Sequence, residues 1–174
     1  MGTMWGHRSR RAALACALLS AALGGGQAQA QTETAVAKAI TLRPLSIVKL
    51  RDLEFGNLIA GPAAGTVTID ADDDSRSTTG GVGAAGGAPQ AAQFYTYGGP
   101  RQFIYVTRGP LPVLTRAGGG ATMNVSQLTL NGATFRYLDD AGILDLRVGG
   151  QLNVGANQMA GEYSGSFTIT VTYF

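Results

Sequence analysis

Residues 31–174 are predicted to form one all-β domain, an antiparallel sandwich or barrel. Three observations predict it. Glycine supplies 26 of the 174 residues and charged side chains only 14%, with Thr and Val frequent and Lys and Glu scarce. That balance disfavours helices and suits short strands joined by turns. About eight to ten short apolar-polar segments follow one another, separated by Gly, Pro, Asn and Asp turn signals. The end of the chain, residues 163–174, reads YSGSFTITVTYF. Tyr163, Gly165, Phe167, Ile169, Val171 and Tyr173 fall on one parity; Ser164, Ser166, Thr168, Thr170 and Thr172 fall on the other. Successive side chains of a strand point to opposite faces, so this alternation describes a strand with one apolar face.

The elements follow in order. Residues 1–30 carry the pattern of a secretory signal peptide: Arg8, Arg10 and Arg11, an apolar core over 12–23, and the small-x-small cleavage signal Ala28-Gln29-Ala30. The apolar core is shorter than the ~20 residues that a membrane-spanning helix needs. Export to the periplasm, the cell surface or the medium is therefore expected, with no transmembrane anchor. His7, Trp5 and Cys16 are the sole residues of their types and all lie in this leader. So do three of the thirteen Lys and Arg, which leaves the domain close to neutral. It has no basic patch suited to phosphates, and nucleic acid is not an expected partner. Without cysteine it forms no disulfide, so packing and hydrogen-bond ladders carry its stability.

Residues 31–39 are a short polar lead to the β-domain, residues 40–174. A first strand is expected over 40–50, with Pro44 at an edge or bulge. An apolar segment at 53–56 and an alternating strand at 66–69 follow, then a loop-rich stretch over 70–89. Residues 90–97 and 101–107 read as a hairpin around Gly98-Gly99-Pro100. Residues 123–130 and 133–138 read as a second hairpin, because Asn131-Gly132 suits a type I′ turn. Asp139 to Gly142 turn the chain into a strand at 143–148. Gly149-Gly150 is expected to turn it again into 152–154, and a loop over 155–162 precedes the final strand.

Chemistry-bearing patterns are few. Gly81 to Gly86 matches GxGxxG, but no apolar strand precedes it and Gly87-Ala88-Pro89 follows it, so a flexible glycine-rich loop is the expectation. Asp70, Asp72, Asp73 and Asp74 form a carboxylate cluster, read as a solvated turn with Ca²⁺ as the alternative. Asp139 with Asp140, and Asp52 with Glu54, are the pairs a glycoside hydrolase would require, but each fits an ordinary turn or strand face. Residues 31–174 hold neither His nor Cys, which removes His-based triads and thiol nucleophiles. No catalytic residue, metal or cofactor is expected. Phe94, Tyr95, Tyr97, Phe103 and Tyr105 crowd one predicted hairpin and read as cross-strand packing, with a sugar platform as the alternative. Asn124-Val125-Ser126 fits the glycosylation sequon inside a strand.

LEFG at 53–56, GTVTI at 65–69, STTGGV at 77–82, GGAPQAAQF at 86–94, GGGATMNV at 118–125 and VGGQLNVGANQMAGEYSGSFTITVTY at 148–173 follow one another along the domain. In this order they resemble DUF4402, a family of exported bacterial β-sandwich proteins. The C-terminal pattern also resembles spore coat protein U and chaperone–usher pilins. That resemblance implies an immunoglobulin-like, pilin-like β-sandwich. In pilins a neighbour's N-terminal extension completes the fold by strand addition, after a periplasmic chaperone has held the same edge. Two features differ from pilins. The domain lacks a disulfide, and residues 31–39 offer only Val36 as a bulky apolar residue.

The expected function is that of a non-enzymatic exported subunit, fimbrial or coat-like, which associates through sheet edges. Its partners would be copies of itself or related subunits, and a periplasmic chaperone. Phe167, Ile169, Val171, Tyr173 and Phe174 are the candidate strand-pairing residues. The alternative is a stand-alone binding module for a glycan, Ca²⁺ or a surface component.

Overall fold

Thirteen strands build the domain. They are β1 (Ser46–Arg51), β2 (Leu58–Ala60), β3 (Gly65–Ile69), β4 (Arg76–Thr78), β5 (Val82–Ala84) and β6 (Ala92–Tyr97). Then come β7 (Phe103–Arg108), β8 (Val113–Arg116), β9 (Thr122–Leu130) and β10 (Phe135–Tyr137). The chain closes with β11 (Ile143–Val154), β12 (Tyr163–Ser164) and β13 (Ile169–Tyr173). The computed structural model describes residues 33–174, and the leader expected over residues 1–30 lies outside the described residues.

The strands form an antiparallel β-sandwich. The large sheet runs β1-β6-β11-β9-β8-β12, with β3 on the second half of β11 and β4 beyond β3. A three-stranded sheet runs β10-β7-β13, and β2 pairs with β5. One core cluster gathers Val67, Ile69, Val125, Leu128, Val148 and Leu152. A second gathers Ile104, Val106, Leu138 and Leu146. Phe94, Leu130 and Ile169 pack against both and join them.

The long strand β11 organises the large sheet. Its first half pairs with β6, from Ile143↔Tyr97 to Val148↔Ala92. Its second half pairs with β3, from Gly150↔Ile69 to Val154↔Gly65. Gly149 and Gly150, expected to turn the chain, lie buried inside this strand. A Cβ on Gly149 would stand 2.3 Å from the Ile69 carbonyl oxygen, and one on Gly150 2.9 Å from that of Gln127. These glycines serve close approach of neighbouring backbones, the other use of glycine within a strand.

Both expected hairpins are corrected. Strands β6 and β7 do not pair, because β1 and β11 occupy both edges of β6. Residues 98–102 instead carry the chain from the large sheet to the small one. Strand β9 lies between β8 and β11, so it cannot pair with β10, which joins β7. Asn131 makes no I′ turn there. Its Oδ1 accepts the Arg147 N–H at 2.9 Å and its Nδ2 donates to the Asp145 carbonyl at 3.0 Å, which binds the crossing to β11. The terminal alternation is also divided. Tyr163 and Ser164 pair with β8, whereas Ile169 to Tyr173 pair with β7, so residues 165–168 cross between layers.

Other differences are local. The first strand begins at Ser46, and residues 33–45 belong to no strand. The loop-rich stretch over 70–89 contains β4 and β5. The apolar segment at 53–56 contributes one bridge, Glu54 to Gln90.

Candidate functional site

The candidate site is the outer edge of β13. This strand pairs with β7 from Ile169↔Arg108 to Tyr173↔Ile104, and no described strand lies on its other side. The Gly109 N–H donates to the Thr168 carbonyl at 2.8 Å, and the Phe174 N–H donates to the Phe103 carbonyl at 3.1 Å. Residue parity in an antiparallel ladder fixes the rest. Even-numbered residues of β13 turn their backbone groups toward β7. Ile169, Val171 and Tyr173 turn theirs to the open edge. Three N–H and three C=O groups therefore stand in a row with no strand to receive them, the arrangement that invites a further strand.

The side chains of the same three residues point inward. Ile169 packs against both core clusters, and Val171 and Tyr173 against the second. All three remain half-exposed. Phe167 packs on the first cluster from the crossing segment before β13. Phe174 has the opposite parity and stands on the outer face of the small sheet, 81% exposed. The five candidate residues are thus divided between an inner row of four and one outer ring.

Tyr173 holds the end of the strand. Its hydroxyl accepts the Gly99 N–H at 2.8 Å and donates to the Arg43 carbonyl at 2.8 Å. A Cβ on Gly98 would lie 2.5 Å from that hydroxyl, so a larger residue at this corner would displace the Tyr173 ring. The tyrosine therefore ties together β13, the 98–102 corner and the segment leading into β1.

Strand β1 is a second open edge, since it pairs with β6 alone. Ile47 lies opposite Thr96, which is fully buried, yet Ile47 stays 39% exposed. Lys49, opposite Phe94, holds the next inward position of β1 and is exposed. The inner side of this edge is left uncovered.

The outer face of the small sheet is aromatic. Phe103, Tyr105, Phe135, Tyr137 and Phe174 gather there. Tyr105 stacks on Phe135 at 4.5 Å, Phe103 meets Tyr137 at 4.7 Å, and Phe174 stands edge-on to Phe103 at 5.7 Å and to Phe135 at 5.2 Å. Only Phe103 and Tyr105 come from the expected hairpin. Phe94 packs on the core, and Tyr95 and Tyr97 lie in the large sheet. The alternation of β10 could have predicted that Phe135 and Tyr137 share a face, but not which strand they would meet.

The carboxylates do not converge. Asp70 accepts the Asp72 N–H and Asp73 accepts the Ser75 N–H, both within the turn. The Ser75 hydrogen bonds hold the Asp73 carboxyl below the usual range. Asp74 accepts the Ala91 N–H at 2.7 Å and pairs with Arg147 and Arg51. Asp139 accepts the Ala141 and Ile143 N–H groups, and Asp140 pairs with Arg101, which lowers its pKa. Asp52 pairs with Lys49. Among the described residues no group of three or more His, Cys, Asp or Glu is placed to hold a metal ion. Residues 81–86, read as a flexible loop, contain β5, and no described helix follows them to face a pyrophosphate. Asn124 of the sequon is exposed on β9.

Comparison with known proteins adds one finding. Neither a curated protein nor a solved structure matches the chain. The family model of a domain of unknown function, DUF4402, matches residues 45–173, from the residue before β1 to the last residue of β13. With most of its length and every described strand inside that match, the chain belongs to the DUF4402 family.

Proposed function

We propose that this protein is an exported, non-enzymatic structural subunit, fimbrial or coat-like, that associates with further copies through strand addition. The observation that carries the reading is the open edge of β13. It presents the unmet backbone groups of Ile169, Val171 and Tyr173 above side chains that are only half-covered. Strand addition supplies the hydrogen bonds, and alternate side chains of the incoming strand supply the cover.

Two further observations support it. The open edge of β1 and the uncovered Ile47 leave the other sheet short of a neighbour as well. Residues 33–45 belong to no strand, so Ile40, at 88% exposure, and Leu42, at 47%, are not used in a first strand of the same chain. With Val36 they share one parity, and they offer a second copy the apolar face that β13 would receive. A periplasmic chaperone would hold the same edge before assembly.

The test is to shear the surface of cells that make the protein and examine the released material by electron microscopy and sedimentation. Polymers that contain this chain are expected. A periplasmic monomer under every growth condition would overturn the reading.

A further inference from the structure

The outer face of the large sheet carries a second feature, in a different sheet from β13. Strands β3, β11 and β9 place Thr66, Asn153 and Asn124 in one cross-strand row. The adjoining row is closed on itself. The Gln151 amide donates to the Thr68 hydroxyl at 3.3 Å, and the Ser126 hydroxyl donates to the Gln151 amide oxygen at 3.0 Å. Asn124 and Asn153 are different. Both side chains are exposed, and among the described residues neither amide has a hydrogen-bond partner.

These two amides line an open concavity of about 540 Å³, within the size range of small-molecule sites. Thr66, Thr122 and Gln158 complete its polar lining, and no Asp, Glu, Lys or Arg takes part. One wall is fixed in advance. The Gln158 amide donates to the Thr122 carbonyl at 3.2 Å and to the Tyr163 hydroxyl at 2.9 Å, and it accepts the Gly155 N–H at 3.2 Å. The Asn157 N–H, in a residue at φ +52°, donates to the Gly61 carbonyl at 2.8 Å and clips the same loop to the end of β2.

The chemistry of the lining selects a ligand class. A carboxamide presents two donors and an accepting oxygen together. Two such groups on neighbouring strands match a pair of adjacent hydroxyls, each of which donates and accepts. A phosphate or carboxylate would meet no cation here, and a metal ion would meet no carboxylate. We propose that the concavity bounded by Asn124, Asn153 and Gln158 is a binding site for a neutral saccharide, with the two asparagine amides reading an adjacent pair of its hydroxyls. This goes beyond the subunit reading and does not depend on it, because the site lies on β3, β11 and β9 of the large sheet, whereas β13 belongs to the small one, and it is whole in a single chain.

The test is a nuclear magnetic resonance titration of the full domain with maltotriose, cellotriose and chitotriose, following the side-chain amides of Asn124 and Asn153. At least one trisaccharide should shift them saturably. N124A and N153A should each weaken that binding by about tenfold or more and leave the rest of the spectrum in place. The same residues stay silent toward trigalacturonate if neutrality governs the choice. No saturable shift with any of the three sugars up to about 50 mM would overturn the proposal. Binding that survives both substitutions, binding that appears on the Phe135 and Tyr137 face alone, or a preference for trigalacturonate would overturn it equally.

Discussion

Asp74 shows how single residues hold this fold without disulfides. It sits at φ +64°, in the left-handed region that Asp and Asn tolerate better than other side chains. Burial raises the pKa of its carboxyl, but the Ala91 N–H, Arg147 and Arg51 outweigh burial and leave it below the ordinary value. Its contribution is complete above the unfolded carboxylate pKa of about 3.9 and is lost as pH falls through the lowered folded value. Asp74→Asn keeps the backbone geometry and leaves the Arg147 guanidinium, only 15% exposed, without its anion. A loss of about 2 kcal/mol is expected at neutral pH in urea melts, together with a flatter stability profile below about pH 4. Equal acid profiles for the two proteins would contradict this role. Arg136 presents the opposite case. Its Nε and one terminal nitrogen are buried without partners, and burial lowers its pKa. Arg136→Met should leave the urea midpoint unchanged or raise stability by about 1 kcal/mol. Gly149→Ala should cost about 3 kcal/mol, because the Ile69 carbonyl already fills the space for a Cβ. A loss below about 1 kcal/mol in the same melts would mean that β3 and β11 can move apart there.

At the scale of elements, the free edge of β13 makes an asymmetric prediction. The Val171 N–H faces outward, and the Thr170 N–H faces β7. Val171→Pro removes a donor that the monomer does not use, a position that edge strands accept. It should leave a folded domain, judged by circular dichroism, and abolish polymer. Thr170→Pro removes a ladder bond to β7 and should lower the melting temperature of the monomer itself. Polymer formation by Val171→Pro would rule out this edge. The alternation that made the final strand legible in the sequence could not show this asymmetry, since it gives faces and not neighbours. The same limit explains the other differences. Asn131-Gly132 and Gly98-Gly99-Pro100 were legible as reversals, but a reversal between layers and one within a sheet use the same residues. Gly149-Gly150 reads as a turn in sequence because glycine serves turns and close backbone approach alike. Only the positions of Ile69 and Gln127 on other strands distinguish the two uses. The start of β1 at Ser46, which leaves Ile40 and Leu42 outside the sheet, was likewise hidden behind their apolar character.

For the whole molecule, two antiparallel layers enclose one joined core, yet each sheet keeps an open edge with uncovered apolar residues beside it. Charge, proline or short strands normally block exposed edges; β1 carries Lys49 at an inward position, whereas β13, ITVTY, carries neither charge nor proline. The fold class was legible because composition and period-two patterning report on strands directly. The open edge was not, because it is a property of strand order. The most direct test is hydrogen exchange at the amides of Ile169, Val171 and Tyr173, measured in the monomer and in material recovered from the cell surface. Rapid exchange in the monomer and protection of about a hundredfold or more in the assembly are expected, with Thr170 and Thr172 protected in both. Rapid exchange of all three outward amides in an assembled form would contradict it.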